Sequence, residues 1–136
     1  MEAFVNYHSM MKEYKEIDLE SKLVGNNKHN FIKLVLEDVL KNLKSLSYCI
    51  QQEKPDLKVK SRTFSQILSG IMILQTSLDF EKGEPIASNL FNLYDYCRKE
   101  VISNYRNNLT EGLDTSIQVF DDILDIVSCK HQIHLK

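Results

Sequence analysis

Apolar side chains recur along this chain at steps of three and four, the spacing that places them on one face of a helix. The first such stripe holds Ile32, Leu36, Val39, Leu43, Leu46 and Ile50, widened by Val35 and Leu40, while Lys33, Lys41 and Lys44 fall largely elsewhere. Lys54-Pro55-Asp56 ends it, since proline restricts its predecessor and lacks a backbone donor. The second stripe runs through Phe64, Ile67, Ile71, Leu74 and Leu78, with Leu68 and Met72 beside it. Ile73 lies off that stripe, which predicts a surface position unless something covers it. Gly70, inside the stripe, costs about 1 kcal/mol of helix propensity relative to alanine. That cost is easiest to explain if another helix approaches closely there. Asp79 to Gly83 break the pattern, and Pro85 restarts a helix whose buried side is expected to carry Ile86, Leu90, Leu93 and Tyr94, then Cys97 and Val101. The fourth stripe is Leu113, Ile117, Phe120, Leu124 and Val127, with Thr110 as a reasonable N-cap.

Four amphipathic helices joined by short connections predict an all-α fold, an antiparallel up-down four-helix bundle preceded by a short helical or extended leader. The expected parts are a leader over residues 1–27, a bundle over 28–128 with helices at 28–53, 57–79, 85–106 and 111–128, and a polar tail over 129–136. The leader carries Phe4, Tyr7, Met10, Met11, Tyr14 and Ile17, enough apolar surface to pack on something larger.

Charge and chemistry then narrow the function. A formal net charge of −2 argues against nucleic acid, because phosphate neutralisation needs a basic excess. No apolar run approaches the ~20 residues that span a bilayer, and the N-terminus has no secretion-type hydrophobic run, so the expectation is a cytoplasmic protein with no membrane insertion. Cys49, Cys97 and Cys129 are far apart and odd in number, which suits reduced structural thiols. No GxSxG frames a nucleophile, Gly25, Gly70, Gly83 and Gly112 are isolated, and no Glu-x-x-His is present, so neither an enzyme nor a cofactor is expected. Cys129, His131 and His134 are the best set of metal-ligating types, but an incidental polar tail is the better reading of them, and no metal is expected.

The stretch between the second and third stripes carries more than periodicity. Leu74-x-x-Ser77-Leu78-Asp79, followed by Gly83-x-x-Ile86-Ala87-x-Asn89-Leu90-x-x-Leu93-Tyr94-Asp95-Tyr96, resembles the signature of the flagellar secretion chaperone FliS family. There are departures: Val35-Leu36-Glu37-Asp38 stands where that family often has Leu-Tyr-Asp-Gly, Ile73 where an acidic residue is common, Gly70 where an aliphatic is usual, and Val127 where a tryptophan often closes the last helix. The resemblance implies a non-enzymatic export chaperone of the cytoplasm. It would bind the disordered C-terminal segment of flagellin, prevent premature polymerisation, keep the subunit competent for type III export, and meet the export gate with client bound. The alternative is a diverged bundle adaptor or regulator with a different client. The client-binding region implied by the family holds Ile71, Ile73, Leu74, Leu78, Leu90, Phe91, Leu93, Tyr94, Tyr96, Val101 and Ile102, with Tyr7 and Tyr14 as an N-terminal cap over the groove. Ile73, Phe91 and Tyr96 discriminate best, since exposure there means an unfilled binding surface. Four stripes that close one bundle or leave a self-associating groove are also compatible with a homodimer.

Overall fold

A computed structural model describes residues 27–135, with side chains over 28–128. The leader with Tyr7 and Tyr14, and the side chains of Cys129, His131 and His134, lie outside the described residues. Among the described residues there are four helices: α1 (Asn27–Gln51), α2 (Leu57–Thr76), α3 (Ile86–Asn107) and α4 (Glu111–Leu135). Among the described residues there is no strand.

The helix ends follow from local chemistry. After Pro55, the Asp56 carboxylate accepts from the Lys58 and Val59 N–H groups at 3.0 and 3.3 Å, satisfying free donors at the start of α2. At the far end of α2, the Thr76 and Ser77 hydroxyls both donate to the Ile73 carbonyl, and the helix stops at Thr76 rather than at 79. Pro85 has no side-chain acceptor with which to cap α3. The Glu84 carboxylate substitutes, accepting from the Ser88 N–H at 2.8 Å. Asn108 closes α3 in the left-handed region, at φ 54°, a conformation its short amide tolerates. The Thr110 carbonyl then accepts the Asp114 N–H and opens α4. With no proline or glycine over residues 128–135, α4 continues to Leu135, past the expected stop at 128.

Each helix packs against its two neighbours in a ring: α1 on α2 and α4, and α3 on α2 and α4. The core between them is closed by Leu36, Leu43 and Leu46 of α1, Ile67, Ile71 and Leu74 of α2, Tyr94, Cys97 and Val101 of α3, and Leu113 and Phe120 of α4. This is the up-down bundle that the stripes predict. Two expectations about its surface are corrected. Ile73 is 0% exposed. A Cβ built on Gly70 would overlap Val39 Cγ2, so α1 lies unusually close there. That approach widens the covered arc of α2, and Ile73, one turn on, is enclosed with Gly70. Conversely, Ile86 is 60% exposed. It is the first residue of α3 and stands beyond the end of α2. Ala87 takes the buried place instead, and the inner face of α3 runs Ala87, Leu90, Tyr94, Cys97, Val101 and Asn104; Leu90, Tyr94, Cys97 and Val101 are as expected, and Leu93 is only half-buried.

Candidate functional site

Some of the predicted site residues flank the seam between α2 and α3, which is built differently at its two ends; Ile73 lies instead on the α1-facing side of α2. At one end Phe64 and Tyr105 stack, with ring centroids 3.8 Å apart and planes 7° from parallel, and the Lys60 ammonium lies 5.1 Å from the Tyr105 centroid. Lys60 also bonds the Asn108 side-chain oxygen. That end is closed.

The other end meets the turn between the helices. Asp79 organises it: its carboxylate accepts from the Glu81 and Lys82 N–H groups, both at 3.0 Å, and its carbonyl accepts from Gly83 at 2.8 Å. A Cβ at Gly83 would stand 2.6 Å from that carbonyl oxygen, which requires glycine at this position. The turn places Phe80 against Phe91 of α3 in an edge-on contact at 6.0 Å, and the Gln75 amide donates to the Phe91 carbonyl at 3.2 Å. Both rings remain exposed, as do Met72 and Ile86. Exposed apolar side chains also stand at the closed end, Leu57 and Leu109 among them, but there they flank a stacked pair rather than an unstacked one.

The predicted contact residues divide by depth. Ile71, Ile73, Leu74, Tyr94 and Val101 are buried in the core. Leu78, Leu90, Leu93 and Ile102 are half-buried. Of the three residues expected to discriminate, Phe91 at 38% and Tyr96 at 46% are exposed, while Ile73 is buried. Phe80 and Met72 belong to the same exposed set and were not among the expected site residues. The signal for Phe80 is a lone aromatic among charged residues and a glycine, Asp79 to Glu84, where nothing local can cover it.

Electrostatics separate the deep residues from the shallow ones. Tyr94 packs on Phe120 of α4, with ring centroids at 5.9 Å, and burial, reinforced by neighbouring Cys97, pushes its phenol up to about 12. Burial likewise raises the Cys97 thiol, and Glu100 adds to the effect while the Ser116 hydroxyl opposes it. On the outer side of α3, hydrogen bonds from Arg98 and Lys99 hold the Asp95 carboxyl below its usual range. The Leu-Tyr-Asp-Tyr run therefore carries a protonated core phenol, a charged surface carboxylate and an exposed tyrosine in successive positions. No group of three or more His, Cys, Asp or Glu that could hold a metal ion occurs among the described residues. Among them, no helix is long and apolar enough to cross a membrane.

The family model of the flagellar protein FliS matches residues 10–126 of this chain. Among curated proteins, the chain is similar to the flagellar secretion chaperone FliS of Vibrio cholerae serotype O1, at 25% identity over 113 residues, covering 83% of this chain and 82% of that protein. It is similar to the flagellar secretion chaperone FliSB of Pseudomonas aeruginosa, at 27% over 104 residues, covering 76% and 81%. The flagellar secretion chaperone FliS of Salmonella typhimurium is 29% identical over 116 residues, covering 80% of this chain and 84% of its own.

Proposed function

The chain belongs to the FliS family of flagellar proteins, and from that premise we propose that it is a non-enzymatic export chaperone of the cytoplasm whose client is the disordered C-terminal segment of a flagellin. The observation that carries this reading is the open end of the α2–α3 seam, where Phe80, Phe91 and Met72 stand exposed near half-buried Leu78 and Leu90. A disordered segment can fold onto such a surface as amphipathic helices, docking through anchors at i, i+3 and i+4. Its ordering consumes about 2–5 kcal/mol of the gross interaction. The exposed rings and the aliphatic margin of the seam offset that cost by leaving water.

The bound client cannot enter polymerisation through that segment, which keeps it unassembled until export. The loaded complex is then the form that meets the export gate. The leader, with Tyr7 and Tyr14, covers the groove until the client displaces it. Direct binding tests the reading: titration calorimetry of the purified chain with a peptide of the last few dozen residues of the cognate flagellin. Saturable binding that Phe91→Asp weakens at least tenfold is expected. Absence of binding by the intact chain would leave a bundle adaptor with another client and sink the flagellin reading.

A further inference from the structure

Charge is sorted along the α2–α3 seam. From Thr63 to Leu78 the chain carries no charged side chain, an uncharged lane of about 24 Å at the helical rise. On the α3-facing margin of α2, Phe64 stacks on Tyr105 and Gln75 bonds the Phe91 carbonyl, with Leu68 and Met72 between them at helical spacing. On the α3 bank, Phe91, Arg98 and Tyr105 follow at steps of seven, and Arg98 is paired with Asp95 at 2.9 Å. The ends of the lane differ in sign. At the open end the turn sets Asp79, Glu81 and Glu84 against Lys82. At the closed end Lys58, Lys60 and Arg62 of α2 meet Arg106 of α3, where the Lys60 bond to Asn108 joins the two helices. Lys58, Arg62 and Arg106 are exposed, and among the described residues none of the three is in an ion pair. Asp56 is the acid that precedes them, and its carboxylate is turned to the Lys58 and Val59 N–H groups. Leu57, next to Lys58, and Leu109, next to Asn108, are 71% and 55% exposed.

Resting on the flagellin reading above, we propose that the last helix of the client lies along this lane in one fixed direction, with its terminal carboxylate at the closed end of the seam. An uncharged lane accepts the apolar side of an amphipathic helix either way round, so the charged ends decide. A helix is partly positive at its amino end and partly negative at its carboxyl end. The end of a chain adds a full negative charge there, the α-carboxylate. Laid parallel to α3, the client brings its amino end to Asp79, Glu81 and Glu84 and its carboxylate to Lys58 and Arg106. Apolar side chains near that terminus can then rest on Leu57 and Leu109. Laid the other way, the carboxylate meets the acidic turn and the cations at the closed end have no counterpart. The attraction comes from the side-chain cations rather than from the start of α2, whose free donors Asp56 already satisfies.

Titration calorimetry of the full-length chain with the same flagellin peptide, made once with a free terminal carboxylate and once with a terminal amide, tests the direction. The acid is expected to bind about fivefold more tightly than the amide, the size of a few surface charge contacts. That advantage should shrink as salt screens it. Lys58→Glu with Arg106→Glu should abolish it by weakening the acid and sparing the amide. Both positions are exposed, and an unchanged melting temperature confirms that the variant folds. A benzophenone at the last residue of the peptide should crosslink near Leu57 or Leu109, as located by mass spectrometry. Equal affinities of acid and amide for the wild type, or a crosslink from the last residue to the turn at Phe80, would overturn the proposed direction and leave the flagellin reading standing. If neither peptide binds, both fall together.

Discussion

Helix α2 has two seams, and they are made by opposite means. Toward α1 it presents Gly70, whose missing side chain lets Val39 come so close that no Cβ fits between them, and Ser69 and Ile73 are buried on either side. Toward α3 it presents large groups. Phe64 stacks on Tyr105 at one end, and at the other Phe80 and Phe91 touch only edge to face and stay in contact with water. A small residue brings two backbones together and puts apolar surface inside. Large residues hold two backbones apart, and where they do not interdigitate the apolar surface is left for another molecule. One helix therefore belongs to the rigid half of the bundle on one side and to the binding surface on the other.

The contrast is most severely tested at the close seam. Gly70→Leu should destabilise the fold by about 3 kcal/mol, the upper range of overpacking, read from urea unfolding. Combining it with Val39→Ala should recover part of that loss, and a simple sum of the two single effects would show that the helices are not in close contact there. The next effect is alkaline. Below pH 10.0 the Tyr94 phenol is protonated in both folded and unfolded chains; between 10.0 and about 12 the unfolded chain releases the proton and the folded one retains it. Stability should therefore fall across that window, by about 2–3 kcal/mol. Tyr94→Phe should remove this part of the pH dependence, and parallel pH profiles of variant and wild type would refute the burial argument.

Asn104→Ala should cost about 2 kcal/mol. It leaves the buried Gly112 N–H, which donates to the Asn104 side-chain oxygen at 3.0 Å, without its partner. The smallest effect belongs to the open seam. Phe91→Asp should change folding stability by no more than about 0.5 kcal/mol, as expected for an exposed position, despite its tenfold effect on client binding. A large loss of stability there would mean that the ring is part of the core and would erase the distinction between the seams.

Much of the fold is legible in the sequence because helical spacing states which residues share a face. The inner face of α1 follows directly, and Gly70 signals the close approach by its own cost; on α4 Leu113 and Phe120 are buried as expected, but Ser116 and Ile123 are buried too while Ile117, Leu124 and Val127 are only partly so. Spacing does not state how wide the covered arc is or where a helix begins relative to its neighbour. Ile73 is misjudged for the first reason. Ile86 is misjudged for the second, since α2 has already ended before α3 starts. On α3 the pairs Ile86/Ala87 and Leu93/Tyr94 offer two adjacent lines, and packing against Phe120 selects the one with Tyr94. Phe80 escapes periodic reading altogether because a turn has no period. The signature from Leu74 to Tyr96 names the family, but it cannot separate core from groove, since Ile71 and Leu74 are sealed while Phe91, in the same region, is exposed.

The buried thiols give this architecture a clock. Cys49 in α1 and Cys97 in α3 are both free and enclosed, Cys49 donating to the Asp56 carbonyl and Cys97 lying on the inner face beside Ser116. A disulfide-exchange reagent reaches each only when its own helix moves away, and the raised thiol at Cys97 makes its reactive thiolate scarcer still. In a Cys129→Ser background, the modification rate at Cys97 counts excursions of α3, and the rate at Cys49 counts those of α1. The molecule thus carries internal timers for its loose and tight sides, readable without any added label.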